Sequence, residues 1–306
     1  MKTLMFDASL FKESDCLRRV KHTAFDGLRK QDPEIPIEYG SAFHKFAAEY
    51  HTSGNLSLGM KLAKEYWNDK FELYPMSNDK EWRTLNHMQM TCFDYSIRYP
   101  FSTDSFRILQ DKNGKHLVEQ RFAWPYKVIP ELDLEIVLCG TIDAIASYPV
   151  SSSIVIGDHK TTAVWDKSDY LEGYMLSPQM MLYKMILKLL ANKFLIGDLA
   201  IRLANAGCMI NGIFIQKTKV EFQRSEIIDY TEKQLLEFKE LLDERIFRVI
   251  WSIRNNTWRK NITACETPYG RCKFFKLCSA PDDGTVEMLI ENKYTKSDYN
   301  PLLFGE

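Results

Sequence analysis

Ser153-Ile154-Val155-Ile156-Gly157-Asp158-His159-Lys160 is apolar for most of its length and finishes on an acid, an imidazole and a lysine. These residue types predict a β-strand. Side chains alternate faces along a strand, so Asp158 and Lys160 share one surface while His159 points back. Some fifteen residues earlier, Leu134-Glu135-Ile136-Val137-Leu138-Cys139-Gly140-Thr141-Ile142-Asp143-Ala144-Ile145 reads as another apolar strand. An ionised Asp143 in it is costly unless it faces a metal, a partner or solvent. Downstream, Ser177 to Lys193 predicts a helix with Pro178 suited to its first turn. Gln179 and Tyr183, one turn apart, lie on one face of that helix.

Each feature alone has an ordinary explanation. Asp143 could cap or edge its strand, Asp158 and Lys160 could be a surface ion pair of little worth, and Gln179 and Tyr183 could be helix surface or core. Together, two carboxylates, a lysine and a paired amide and phenol match the needs of phosphodiester hydrolysis. That chemistry requires a cation on the nonbridging oxygen, a positioned water and stabilisation of the departing charge.

The rest of the chain bounds the reading. With 306 residues and 45% hydrophobic content it can bury a sizeable core. Forty Lys and Arg against 41 Asp and Glu leave a net charge of −1, so a nucleic acid would have to be met by a local basic patch. Such a stretch lies between Arg245 and Lys260, where Arg245, Arg248, Arg254, Arg259 and Lys260 occur with no acid and alternate with Phe247, Trp251 and Trp258. A single-strand platform and a solvated helix face are both consistent with it. No segment fits the phosphate-binding loop G-x-x-x-x-G-K-[ST]. An acid at Asp7 interrupts any secretory apolar run and no window is apolar for long enough to span a bilayer, so the expectation is a soluble, cytoplasmic protein without a membrane partner.

Residues 1 to about 105 read as mainly helical, with Ser41 to Tyr50 and Leu58 to Leu73 showing apolar spacings of three and four, punctuated by Pro33, Pro36, Pro75 and Pro100. Strands follow at Leu117 to Trp124, Leu134 to Ser147 and Ser153 to Lys160. They are separated by turns at Asn113-Gly114, at Pro125 to Pro130, and at Pro149 with a serine run. After the 177–193 helix come a strand from Cys208 to Thr218, a long helix from Arg224 to Asn255 and a cysteine-bearing tail. The fold expectation is α/β, a central mixed β-sheet flanked by helices. Its parts are a helical region at 1–105, a core at 106–222 and a C-terminal helix and tail at 223–306, in one integrated unit.

The motif set resembles the PD-(D/E)XK nuclease superfamily, specifically the RecB-like branch that includes Cas4 and the nuclease domain of AddB, over most of the chain. Gly40-Ser41-Ala42-Phe43-His44 matches that branch's glycine followed four residues later by histidine. Gly140 to Asp143 matches G-x-x-D, Asp158 to Lys160 matches D-x-K, and Gln179 to Tyr183 matches Q-x-x-x-Y. The resemblance implies a restriction-endonuclease-like core. It implies that His44, Asp143, Asp158 and the backbone carbonyl of His159 bind Mg²⁺ or Mn²⁺. Lys160 would position or deprotonate the attacking water, and Gln179 and Tyr183 would line the site. Glu119 is a weaker match to an acid in the first core strand. A mixed nitrogen and oxygen donor set suits Mn²⁺ as well as Mg²⁺.

Seven cysteines, an odd set, argue against a disulfide framework and for metal ligation or packing. Cys92, Cys139 and Cys208 sit among apolar residues and read as core. Cys265, Cys272 and Cys278 fall in the tail, and the resemblance implies that Cys16 joins them around a [4Fe-4S] cluster. The six residues between Cys265 and Cys272 exceed the gap usual in relatives, which leaves a Zn²⁺ site, or a fourth ligand other than Cys16, open. The implied activity is that of a metal-dependent deoxyribonuclease, an exonuclease working on ends or single-stranded DNA in recombination, repair or phage DNA metabolism. A non-catalytic or RNA-directed nucleic-acid-binding protein with the same fold is the alternative. Protein partners and self-association are left open.

Overall fold

The computed structural model describes residues 1–72, 81–148, 153–267 and 270–302. In chain order its first elements are β1 (Lys2–Phe6), α1 (Ala8–Glu13), α2 (Leu17–Val20), β2 (Leu28–Lys30), α3 (Ile35–Ser53), α4 (Leu56–Glu72) and α5 (Leu85–Arg98). Then come β3 (Arg107–Ile108), β4 (Val118–Ile129), β5 (Leu134–Tyr148), β6 (Ser153–Thr162), α6 (Lys167–Glu172), α7 (Pro178–Phe194) and α8 (Gly197–Ala204). The chain finishes with β7 (Gly207–Ile215), β8 (Val220–Arg224), α9 (Glu232–Asn255), β9 (Glu266–Thr267), β10 (Gly270–Arg271), α10 (Phe275–Cys278), α11 (Asp283–Lys293) and β11 (Tyr294–Lys296). The architecture is the expected mixed sheet with helices around it.

Two compact units are present. One comprises Pro33–Arg121 and Thr141–Thr231, the other Met1–Asp32, Phe122–Gly140 and Glu232–Glu306. In the first, the second half of β5 runs antiparallel to β6, with Ala144 opposite Gly157. Strand β6 is parallel to β7, with Asp158 opposite Ile210, and β7 is antiparallel to β8, with Asn211 opposite Arg224. Ile154 through His159 are all buried, which is why this strand reads as an unbroken apolar run rather than an alternation. An aromatic core of Tyr39, Phe43, Phe46, Tyr50, Trp67 and Tyr95 packs α3, α4 and α5 with Ile213 and Ile215 of β7. Helix α7 starts where its sequence says it should, with the Ser177 hydroxyl accepting from Met180 N and Pro178 at the first turn.

In the second unit β1 lies parallel to the first half of β5, Lys2 opposite Leu134 through Phe6 opposite Leu138. Strands β2 and β11 pair antiparallel, and Leu28, Phe274, Leu277 and Tyr294 form a small core. Helix α9 buries Leu235, Phe238, Leu242, Ile246, Val249 and Ile250, an amphipathic stripe at helical spacing. Among the described residues no helix is long and apolar enough to cross a membrane.

Several element bounds differ from the sequence reading. The helical N-terminal region also holds β1, a five-residue run whose partner lies 132 positions away and leaves no local signature. The turn expected at Pro125 to Pro130 is strand as far as Ile129, because β4 pairs with β5 alone and a strand with one open side tolerates proline. Helix α9 begins at Glu232, not Arg224, because Val220–Arg224 is held as β8 against β7. Asp158 is not at a strand end: β6 continues to Thr162, and the aspartate is fully buried. Leu73, Pro75, Pro149 and the serines at 151–152 lie outside the described residues.

Candidate active site

Position 40 explains position 44. A Cβ on Gly40 would come within 3.0 Å of Thr161 Oγ1, so the glycine lets α3 pack closely on β6. One turn later His44 reaches the strand, and its Nε2 donates to the His159 carbonyl at 3.0 Å. A carbonyl can only accept, so that bond puts the proton on Nε2 and turns Nδ1 toward the acids. Nδ1 lies 3.5 Å from Asp143 Oδ2 and 3.9 Å from Glu119 Oε1. One ligand atom from each of His44, Glu119 and Asp143 fits within 4.8 Å of the others. An imidazole with one nitrogen facing carboxylates and the other fixed by a main-chain oxygen is how metal-binding histidines are commonly oriented.

Asp143 is nearly buried, and its Oδ2 accepts from His159 N at 2.7 Å. The residue after Asp158 therefore joins the two carboxylates through its main chain. Asp158 itself receives Gln179 Nε2 on Oδ1 at 3.0 Å and has Lys160 Nζ 2.6 Å from Oδ2. That second oxygen is buried and its contact is the ion pair with Lys160, without a well-directed hydrogen bond. Gln179 also donates to Tyr183 OH at 3.0 Å, and the phenol donates to Thr141 O at 2.8 Å. Amide and phenol thus tie α7 to β5 and orient the Asp158 carboxylate.

Electrostatics mark the site as crowded with acid. Burial pushes the Asp158 carboxyl up, and the charge of Asp143 adds to the rise, against Lys160 and His44. Glu119 is pushed up to about 7 by burial and then by Asp143, with His44 opposing. Its side chain is 42% exposed, so solvent tempers that rise. For Lys160 burial pulls the amine down, but Asp158 and Asp143 outweigh it and the net direction is up, so the amine stays protonated. Glu119 also has a left-handed backbone, φ 48°, inside β4. Such a conformation in a residue with a side chain costs about 1–2 kcal/mol and is concentrated at functional sites.

The ring of His159 turns away from this group, as strand alternation requires. Its Nδ1 meets Asn211 Nδ2 at 2.8 Å, and it stacks on His51 at 5.5 Å between centroids. Asn211 also bonds the Tyr95 hydroxyl, which pairs with His51 Nε2 at 2.8 Å. Burial holds both imidazoles well below the usual range, so they are neutral. Arg224 lies over Tyr99 at 3.8 Å and makes a bidentate pair with Asp104, 2.6 Å on each arm. Sequence reasoning passed over Asn211, although a lone amide in the otherwise apolar Gly207–Ile215 was a usable signal.

The four cysteines of interest lie in the other unit and line one cavity of about 250 Å³, together with Arg19, Lys260 and Phe274. Cys16 precedes α2, and its Sγ accepts from Asn261 N at 3.3 Å. Cys272 N donates to Cys265 O at 2.8 Å, and Lys260 Nζ donates to Cys278 O at 2.6 Å. All four thiols are free. Among the described residues only the His44, Glu119 and Asp143 set brings three ligand atoms within 4.8 Å, so no three of these sulfurs are that close. Cys92, Cys139 and Cys208 are fully buried, as expected of core residues.

Comparison with known proteins agrees with the fold. A family model described as the PD-(D/E)XK nuclease superfamily matches residues 9–279, a span that includes His44, Glu119, Asp143, Asp158, Lys160, Gln179 and Tyr183 and the four cysteines of the cavity. A solved structure from Eubacterium rectale, described as a "Putative exonuclease", aligns with a TM-score of 0.51 over 85% of this chain and 85% of that one. At 13% identity the likeness is one of fold. No curated protein matches the chain.

Proposed function

The chain belongs to the PD-(D/E)XK nuclease superfamily, and from that premise we propose that it is a divalent-metal-dependent deoxyribonuclease of the RecB-like kind. In this reading it is an exonuclease acting on ends or single strands in recombination, repair or phage DNA metabolism. One observation carries the reading: His44 Nδ1, Asp143 and Glu119 converge beside the buried Asp158–Lys160 pair. His44 through Nδ1, Asp143 and Asp158 would hold Mg²⁺ or Mn²⁺, with Glu119 as a further acid, while the His159 carbonyl, expected as a ligand, accepts from His44 Nε2 and so orients the ring. A divalent ion bound there supplies Lewis-acid stabilisation of the phosphoryl oxygen and a more acidic water.

The chain's own groups divide the remaining work. Lys160, held in its protonated form by Asp158 and Asp143, is placed to position the attacking water and to donate to the charge developing on the phosphoryl oxygens. Gln179 and Tyr183 keep the Asp158 carboxylate at its angle. The neutral His159–Asn211–Tyr95–His51 chain fixes the strand whose carbonyl orients His44.

The cysteine cavity belongs to the same proposal. Tetrahedral zinc, with Zn–S about 2.3 Å, draws its sulfurs to about 3.8 Å from one another. Cys16, Cys265, Cys272 and Cys278 line one cavity, and four thiolates are the ligand set of a [4Fe-4S] cluster as well as of structural zinc. Such a cluster would close a loop of about 250 residues and act as a structural clip.

The test is incubation of anaerobically purified protein with end-labelled single- and double-stranded DNA and RNA, in Mg²⁺, Mn²⁺ or chelator. Metal-dependent shortening of linear DNA with circles untouched is the expected result. Absence of cleavage under every metal condition would leave only a binding protein, and preference for RNA would replace the substrate.

A further inference from the structure

The basic stretch after Ile246 forms a pocket of its own. Phe247, Arg248 and Trp251 of α9 line a cavity of about 320 Å³ with Arg259, Lys260 and Asp15, all within one compact unit. Phe247 and Trp251 are four residues apart and so share a helix face. The helix then stops sharply. Asn256 takes a left-handed φ of 46°, Asn256 N donates to Ile253 O, and Thr257 N donates to Ser252 O. This paired closure reverses the chain. It returns Arg259 over the Trp251 ring, 5.3 Å from its centroid.

Charge pairing separates the cations of this stretch into two classes. Arg245 pairs with Asp15 and Arg254 with Glu131. Among the described residues Arg248, Arg259 and Lys260 have no carboxylate partner, although they line the same cavity. Three like charges around one concavity repel unless an anion is shared among them. Arg259 is held by the indole face, which leaves its N–H edge for an oxygen ligand. Beside it Phe247 is 58% exposed, an aromatic face with nothing stacked on it among the described residues. The volume is at the lower end of small-ligand sites, about the size for one nucleotide.

We infer that this pocket binds a nucleotide unit of single-stranded DNA, its base on Phe247 and its phosphate between Arg248 and Arg259. The choice of polynucleotide rests on the nuclease reading; the pairing of exposed aromatic and unpaired cations does not. Stacking is indifferent to base identity, so the site grips strand without reading sequence. It is a holding site, distinct from the residues assigned to hydrolysis.

The experiment measures anisotropy of a fluorescein-labelled twelve-nucleotide DNA with the full chain, without divalent ion, across a salt series. Arg248→Ala/Arg259→Ala should weaken binding on the order of tenfold and flatten the slope of log K against log salt by about 0.7, the share of the one phosphate they hold between them. Phe247→Ala should weaken binding with the slope unchanged. Metal-dependent hydrolysis of bis(p-nitrophenyl) phosphate, which offers a single phosphorus, should be the same in all variants. Arg248→Glu supplies a single-site version should the double variant fold poorly by circular dichroism. Wild-type affinity and slope in the arginine variants, or no binding by the wild type, would overturn the inference. Failure of the wild type to hydrolyse any diester would instead sink the nuclease reading while the anisotropy still decided the pocket.

Discussion

Removing either member of the Asp158–Lys160 pair should not be equally costly. Asp158 is fully buried, with 1% of its side chain exposed, while a quarter of the Lys160 side chain meets solvent. The ammonium is closely surrounded, yet water access decides what happens to a charge that loses its partner. Lys160→Met strands an anion in the interior, a change worth about 3–5 kcal/mol in comparable pairs, softened by the Gln179 hydrogen bond. Asp158→Asn keeps that hydrogen-bonding shape and leaves a cation that can turn toward water, at about 1–2 kcal/mol. The lysine variant should therefore be less stable by about 2 kcal/mol. Asp158→Asn/Lys160→Met, with neither charge, should recover to within about 1 kcal/mol of wild type. DNA cleavage should be lost in all three. Urea unfolding followed by circular dichroism supplies the order, read from midpoints at constant slope. If Lys160→Met proves as stable as Asp158→Asn, or the double variant is worse than both, the burial argument is wrong.

Two further outcomes follow from other parts of the structure. Asp104→Asn should cost about 3 kcal/mol at neutral pH, since it leaves Arg224 buried and unpaired. Burial alone would raise the Asp104 carboxyl, but the Arg224 hydrogen bonds and charge overcome it and hold it below its ordinary value. A depressed carboxylate stabilises the fold above its unfolded value, about 3.9, and loses that contribution as pH falls through the lower folded value. The gap between wild type and Asp104→Asn in urea midpoints should therefore close below about pH 4; a gap constant from pH 7 to pH 3 would refute the assignment. Cys16→Ser and Cys278→Ser should each abolish the brown visible absorbance of anaerobically purified protein and lower its melting temperature. A wild-type protein that carries zinc and no iron by elemental analysis would exclude the cluster.

Legibility in the sequence followed the range of the interactions. Strands β5 and β6 and helix α7 were readable because each is a long apolar run bounded by turn or capping residues. Strand β1 was not, since five residues pair with a partner met only in the folded chain, and β8 was absorbed into the helix after it for the same reason. Alternation correctly set Asp158 and Lys160 against the His159 ring, but it could not tell that the strand ran on to Thr162 and buried the acid. The meeting of His44 with Asp143, 99 positions apart, was available only through the resemblance, and the close approach at Gly40 supplies its physical cause. Glu119 was the least legible: a glutamate in a polar stretch gives no sign of a left-handed backbone that turns it toward His44.

Charge balance at the site connects these pieces. Glu119, Asp143 and Asp158 bring three carboxylates, Lys160 is the cation in contact, and the His44 imidazole faces Asp143 and Glu119 through Nδ1. In a buried setting that excess has two outlets, protonation or a dication. The upward push on Asp158 and on Glu119 is the first outlet beginning to operate. A dication held by His44, Glu119 and Asp143 would relieve both at once, because the charge of Asp143 contributes to each rise. The acid excess that strains this part of the chain is then the same feature that recruits the ion, so neutralising Glu119, a carboxylate not paired with Lys160, should stabilise the metal-free protein while weakening its hold on Mn²⁺. Glu119→Gln is the variant in which the two effects separate most cleanly, since its side chain is the one that solvent reaches.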